Sequence, residues 1–288
     1  MLVKYFLPHP ALREYVRLFQ IVHLKFADNV VVPSKYYWPR PEHCLAFNPR
    51  QKEAFKYVDA EKLIVRPPIT LIGQASMVTN RYVPHDFFLF QIVFEPGALF
   101  RLTGIPSGEL TDTFLDGEGV FSNEIRLVSE RLNSTDNYEE MTGIVENYMH
   151  YLIKRRKRTS SKTGFLPIDK VAKFMTEANP MFNSGHMISL DKLAHEACLS
   201  PKQFYKNFVE RMGISPKAYA RIVRFDNAMK LQNAQPHKDW QSIALDCGYY
   251  DYQHMAKDFK DFTRATPIEF AEKENQAPER LFGLKEDF

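Results

Sequence analysis

The hydrophobic pattern changes period along the chain. As far as residue 94 it runs in short apolar and aromatic stretches, at 15–24 (YVRLFQIVHL), 43–48 (HCLAFN), 63–72 (LIVRPPITLI) and 87–94 (FFLFQIVF). Prolines from Pro33 to Pro96 punctuate these stretches, and short runs bounded by turn signals predict the strands of a β-sandwich or barrel. Residues 98–105 predict a short helix. In 123–132 and 138–153 the apolar residues recur at i, i+3 and i+4, the spacing of amphipathic helices. Residues 167–178 continue that period, with Ile168, Val171, Ala172, Phe174 and Met175 on one face.

The stretch 188–271 then writes one helical unit twice, and a repeat of this kind decides architecture before any single helix does. The first copy holds Leu193, Ala194, Phe204, Phe208, Ser215 and Pro216; the second holds Ile243, Ala244, Met255, Phe259, Thr266 and Pro267. Phe204 to Pro216 and Met255 to Pro267 both span twelve positions. Helix 190–197, with Ser189 as N-cap and Leu190, Leu193, Ala194 and Ala197 as its apolar face, leads into the tight connection Cys198-Leu199. Ser200 as N-cap, Pro201 at N1 and Gln203 at the capping-box position start the next helix, and Gly213 suits its C-terminal end. Phe204, Phe208, Arg211 and Met212 share its inner side, with Lys202, Tyr205, Lys206 and Val209 opposite. Two helices joined by a tight turn, the second exposing a row of long polar side chains, form a helix-turn-helix. A long helix over 217–232 separates the copies. In the second copy, 240–246 is followed by a turn one residue longer and by helix 252–263. There Met255, Phe259 and Phe262 face inward, while Gln253, His254, Ala256, Lys257 and Lys260 face out. Thr266, Pro267 and Glu269 repeat the cap, proline and box for the last helix.

Composition narrows the function class. At 288 residues the chain has room for about two domains. Cys44, Cys198 and Cys247 form neither a disulfide framework nor a CxxC pair. His9, His23, His43 and His85 lie far apart in sequence, so surface or core roles suit them better than a metal site, and no cofactor motif is present. No signal peptide and no membrane-length apolar run is visible, so a cytoplasmic location is expected. Net charge is unevenly spread. Residues 1–153 carry 15 Lys and Arg against 18 Asp and Glu, 165–288 carry 17 of each, and 154–164 (KRRKRTSSKTG) carries six cations and no anion. That basic run is either a solvated linker or a phosphate-contacting one. Two further features stay open: Tyr36-Tyr37-Trp38 either lines an apolar pocket or fills a core, and the stripe of 138–153 packs either on its own domain or on a second copy.

A helix that reads the DNA major groove needs one anchored face and one face of long donors and acceptors. Lysine donates to guanine, glutamine pairs with adenine, and rings touch thymine methyls. Helix N-termini hold phosphates, here marked by Ser189, Ser200 and Thr266. Residues 166–274 resemble the DNA-binding domain of the AraC/XylS family of bacterial transcription regulators. The resemblance is carried by LDKLAHEACLSPKQFYKNFVERMGISPKAYARIVRFDNAMK and WQSIALDCGYYDYQHMAKDFKDFTRATPIEF, with Arg264 where the family usually has glycine. Carried over, the base-reading positions are Lys202, Tyr205 and Lys206, with Gln203 beside them, then Tyr252, Gln253, His254 and Lys257; Tyr252 turns toward the core side. Residues 92–112 (IVFEPGALFRLTGIPSGELTD) are similar to the family's small β-rich regulatory domains. The fold implied is α+β in two domains: a β-rich, cupin-like barrel with flanking helices, then an all-α domain with two helix-turn-helix motifs. The expected division is 1–153 regulatory or dimerising, 154–164 linker, 165–274 DNA-binding and 275–288 tail. Expected partners are double-stranded promoter DNA, a small-molecule effector in the first domain, a second copy of the chain, and RNA polymerase indirectly; no membrane and no enzymatic activity are expected. The competing reading is a DNA-binding enzyme with Cys44 as a reactive nucleophile.

Overall fold

The computed structural model describes residues 2–159, 164–177 and 189–281. The expected loop 179–187, Ile188 at the head of the repeat, 160–163 of the basic run and Phe282 in the tail lie outside them.

The N-terminal domain is built on two antiparallel sheets. Its strands are β1 (Leu2–Phe6), β2 (Val16–Lys25), β3 (Lys35–Tyr37), β4 (Cys44–Phe47), β5 (Ala54–Tyr57), β6 (Ile64–Val65), β7 (Ile69–Ile72), β8 (Thr79–Tyr82), β9 (Asp86–Phe94) and β10 (Phe114–Asp116). One sheet is six-stranded, in the order β1-β2-β9-β4-β7-β10, and the other four-stranded, β3-β8-β5-β6. The sheets keep separate edges and do not close into a barrel. Stretch 63–72, read from sequence as one strand, divides at Pro67-Pro68 into β6 and β7, which join different sheets, because proline has no N–H for the ladder. Helices α1 (Ala98–Thr103), α2 (Gly117–Phe121), α3 (Glu124–Asn133) and α4 (Tyr138–Thr159) follow. The apolar stripe of α4, with Met141, Ile144, Val145 and Met149, packs into the same core as Phe19, Phe47, Phe88 and Phe90. The stripe therefore lies on its own domain. The basic run begins inside α4, whose last turns carry it as far as Thr159.

The C-terminal domain is all α: α5 (Pro167–Glu177), α6 (Leu190–Glu196), α7 (Pro201–Met212), α8 (Pro216–Ala234), α9 (Trp240–Asp246), α10 (Tyr252–Thr263), α11 (Pro267–Glu274) and a short α12 (Pro278–Leu281). The repeat is the pair α6–α7 and α9–α10 around α8. Phe204, Phe208, Ile222, Phe225, Ile243, Met255, Phe259 and Phe270 share one core. Two expected core positions differ: Phe174 and Leu190 are exposed, each at the margin of its helix's apolar arc. Ala256, expected outside, is buried, since it follows Met255 at the edge of the inner face and is small enough to fit there.

The domains meet over a buried joint, and the aromatic cluster Tyr36-Tyr37-Trp38 belongs to it. Trp38 is 1% exposed, lies in the C-terminal core, and its indole N–H donates to Asp226 Oδ1 of α8 at 2.9 Å. Tyr36 packs edge-on against Phe270 of α11. Burial alone would raise the Asp226 carboxyl, but Lys230, Arg40 and the Trp38 indole hold it below its usual range. Lys173 of α5 pairs with Glu95 at 2.7 Å. His43 sits in the same joint. Burial pushes its imidazole down to about 4, with a hydrogen bond to the Met212 backbone and Glu42 opposing.

An unfolded chain takes up the His43 proton near pH 6.5, whereas the folded one does not until about 4. The unfolded state therefore binds more protons in that window, and stability falls as pH drops through it. The expected result is a melting temperature level above pH 7 and declining toward pH 4.5, with a shallower decline in His43→Asn. Equal slopes in the two proteins would contradict the assignment.

Candidate nucleic-acid interface

Helices α7 and α10 are each capped by their own sequence. Ser200 accepts from the Gln203 amide, and the Gln203 side chain returns a bond to the Ser200 amide, completing a capping box on α7. Gln203 is exposed, but its Oε1 is occupied in the cap and only its NH₂ group points to other partners. Gly213 ends α7 at φ 88°. On α10 the N-cap is Asp251, whose carboxylate accepts from the His254 amide at 2.7 Å. The Tyr250 amide donates to His254 Nδ1 at 3.4 Å, so Nδ1 is the acceptor and Nε2 the nitrogen left to donate. Arg264 closes α10 in the left-handed region at φ 60°, so the expected glycine geometry is kept by an arginine. Its guanidinium pairs with Asp59 at 3.0 Å. Thr266 and Glu269 form the second capping box, on α11.

The two helices turn their long polar side chains outward. Lys202, Tyr205 and Lys206 on α7, and Gln253, His254 and Lys257 on α10, are exposed, whereas Tyr252 is half-buried against the core. Tyr205, His254 and Lys257 come together on an open groove of about 700 Å³ that runs along α8 between the two helices. Lys202, Gln203, Lys206 and Gln253 stand outside its lining, and Ser200 and Thr266 sit at the ends of their helices.

Buried ion pairs fix the orientation of these helices, and sequence reading missed them. On α7, Arg211 donates from Nε and Nη2 to the two carboxylate oxygens of Asp169 on α5, both at 2.6 Å. Asp169 is 0% and Arg211 4% exposed. Gly97 lies directly against this pair: a Cβ there would stand 2.0 Å from Asp169 Oδ1, and φ is 76°. On α10, Asp258 receives Arg221 Nε at 2.8 Å and pairs with Arg224 at 3.7 Å, both from α8. Arg221 also reaches Asp261. The sequence signal was the pair Arg221 and Arg224, one helical turn apart.

Cys44 offers no nucleophile. It is buried, burial pushes its thiol well up in company with Glu42, and Gln91 Nε2 donates to its sulfur at 2.9 Å. A reactive cysteine needs a stabilised thiolate, so this setting removes the ground for the enzyme reading.

Residues 193–273 match a family described as a helix-turn-helix domain, and residues 4–116 match one described as a domain of unknown function, DUF6597. The XylDLEGF operon transcriptional activator 3 of Pseudomonas putida is 25% identical over 226 residues, which cover 76% of this chain and 62% of the activator. Another XylDLEGF operon transcriptional activator of that organism is 26% identical over 229 residues, covering 76% of this chain and 64% of the relative. The chain thus spans less than two thirds of the length of these relatives. The solved structure of ToxT from Vibrio cholerae is similar with a TM-score of 0.48 at 12% identity, over 88% of this chain and 98% of that one.

Removing one member of a buried pair strands the other charge, at a cost of about 3–5 kcal/mol. Asp169→Ala should therefore lower the unfolding free energy measured by urea denaturation by that much, and Asp169→Leu combined with Arg211→Met should recover most of it. A single variant as stable as the parent would contradict the role given to the pair.

Proposed function

We propose that the chain is a transcription regulator of the AraC/XylS type, a sequence-specific DNA-binding factor that reads promoter DNA with α7 and α10, a reading supported by the helix-turn-helix match over 193–273 and the likeness to the XylDLEGF operon activators. The observation that carries this reading is the pair of capped helices that expose Lys202, Tyr205 and Lys206 on one and Gln253, His254 and Lys257 on the other while their inner faces share one core. In this reading Lys202, Lys206 and Lys257 donate to guanine edges, Gln253 and the free NH₂ of Gln203 bond adenine, and Tyr205 covers thymine methyls. His254 donates through Nε2. The N-termini capped by Ser200 and Thr266 hold phosphates, and Tyr252 steadies α10 from its half-buried position. Helix α8, of 19 residues, is about 28 Å long at 1.5 Å per residue, of the order of the 34 Å between successive major-groove segments.

In the same reading the unit 1–153 senses a small molecule, dimerises, or both, and controls the unit 165–274 through the joint at Trp38, Asp226 and Lys173. RNA polymerase is then an indirect partner, the sign of regulation is activation, the location is cytoplasmic, and the chain's work is regulatory rather than catalytic.

Lys206→Ala and Lys257→Ala should each weaken specific operator binding by about 1–3 kcal/mol, measured by fluorescence anisotropy on the bound genomic fragment, with circular dichroism unchanged. Parental affinity in both variants would remove these residues from the interface.

A further inference from the structure

The space between the two sheets of the N-terminal domain holds an imbalance of buried charge. Arg66, beside β6, is 6% exposed and Glu53, beside β5, 1%. Arg66 Nη1 donates to Glu53 Oε1 at 2.9 Å, and Arg81 of β8 approaches the same oxygen at 3.5 Å. Two guanidinium groups thus share one carboxylate. The other nearby carboxylates are engaged: Glu42 by Arg17 and the Tyr37 hydroxyl, and Asp112 by the amide and hydroxyl of Ser76. Arg66 Nε is buried without a hydrogen-bond partner; Arg81 Nε makes no hydrogen bond either, and it is the atom that approaches Glu53 Oε1. Burial brings the Arg66 guanidinium down to about 10, Glu53 opposing and Arg81 adding to the effect. An uncompensated buried cation is costly.

Both arginines border cavity space. Two adjoining cavities, of about 50 and 60 Å³, share Tyr37, Arg40, Arg81 and Gln91 in their walls, and Arg66 lines the first. A water molecule needs about 10–15 Å³ of such space, so the cavities suit a few waters or one compact ion and exclude a bulky ligand. The Phe55 and Tyr37 rings lie 4.5 and 3.5 Å from the Arg66 and Arg81 guanidinium centres. Each ring covers one side of its guanidinium, and both side chains line the cavity walls. A guanidinium edge fits two oxygens of one anion.

We propose that this inter-sheet cavity is a binding site for a small oxyanion, either a short carboxylate or inorganic phosphate, held by Arg66 and Arg81 in competition with Glu53. The proposal gives a ligand class to the sensing half of the function above and rests on that half alone. Its test contains no DNA, so its failure would leave the assignment of α7 and α10 untouched.

The test titrates the whole chain with sodium acetate and, separately, sodium phosphate at constant ionic strength in chloride, following the melting temperature and the arginine Nε–H NMR signals. At least one anion should raise the melting temperature saturably, and the signals of Arg66 and Arg81 should move over the same concentration range. Which anion saturates identifies the source. Glu53→Gln removes the competing carboxylate and should lower the half-saturating concentration several-fold, whereas Arg66→Gln should abolish saturation. A general salt effect would instead rise without limit and equally in all three proteins. The absence of saturation by either anion in the parent chain, or saturation with those two NMR signals unmoved, overturns the proposal even if neither variant folds.

Discussion

An α-helix leaves its last carbonyls without partners, and here the ends of α7 and α10 are completed by the other domain. Ser107 donates its hydroxyl to the Arg211 carbonyl at the end of α7, at 2.9 Å, and Thr111 donates to the Gly213 carbonyl at 2.8 Å. The Val78 amide donates to the Phe262 carbonyl near the end of α10, also at 2.9 Å. The two loops that supply these donors are tied together, since the Asp112 carboxylate accepts from the Ser76 amide at 2.6 Å. A single crosslinked edge of the N-terminal domain therefore holds the finishing bonds of α7 and α10. Neither helix can shift along its axis without breaking a bond to that edge, so the positions of α7 and α10 are tied to the N-terminal domain.

How far the sequence could be read follows from the range of the interactions involved. Helix starts were legible because a cap is local: Ser200 with Gln203, and Thr266 with Glu269, close their boxes within four residues. The inner faces were legible because Phe204, Phe208, Met255 and Phe259 follow the helical period. Interactions between distant segments left no such trace. Nothing local marks Trp38 as the partner of Asp226, 188 positions away, or Gly97 as the glycine that admits the Asp169–Arg211 pair. The sheet division at Pro67-Pro68 was signalled by proline chemistry, but the partner of each half was not. The departure at Arg264 shows the converse: the left-handed backbone position is retained, while its ion pair with Asp59 adds a contact between domains.

The buried charge pairs give the two helix-turn-helix units different supports. Helix α7 is braced on α5 beside the N-terminal domain, whereas α10 is braced on α8 through Arg221 and Arg224. Conserved packing positions with unlike braces and unlike outer rows, Lys202, Tyr205 and Lys206 against Gln253, His254 and Lys257, describe a repeat whose copies share a fold and differ in what they contact. Such a monomer suits two unlike half-sites, so an inverted repeat in the target is expected only where two N-terminal domains pair.

The most direct measurement is a base-resolution footprint of the full-length chain on the genomic fragment it binds. The account predicts two protected major-groove segments on one face of the duplex, centred about 10–10.5 base pairs apart, unlike in sequence and both present when the chain binds as a monomer. A single protected segment, or two identical inverted segments bound by the monomer, would contradict it.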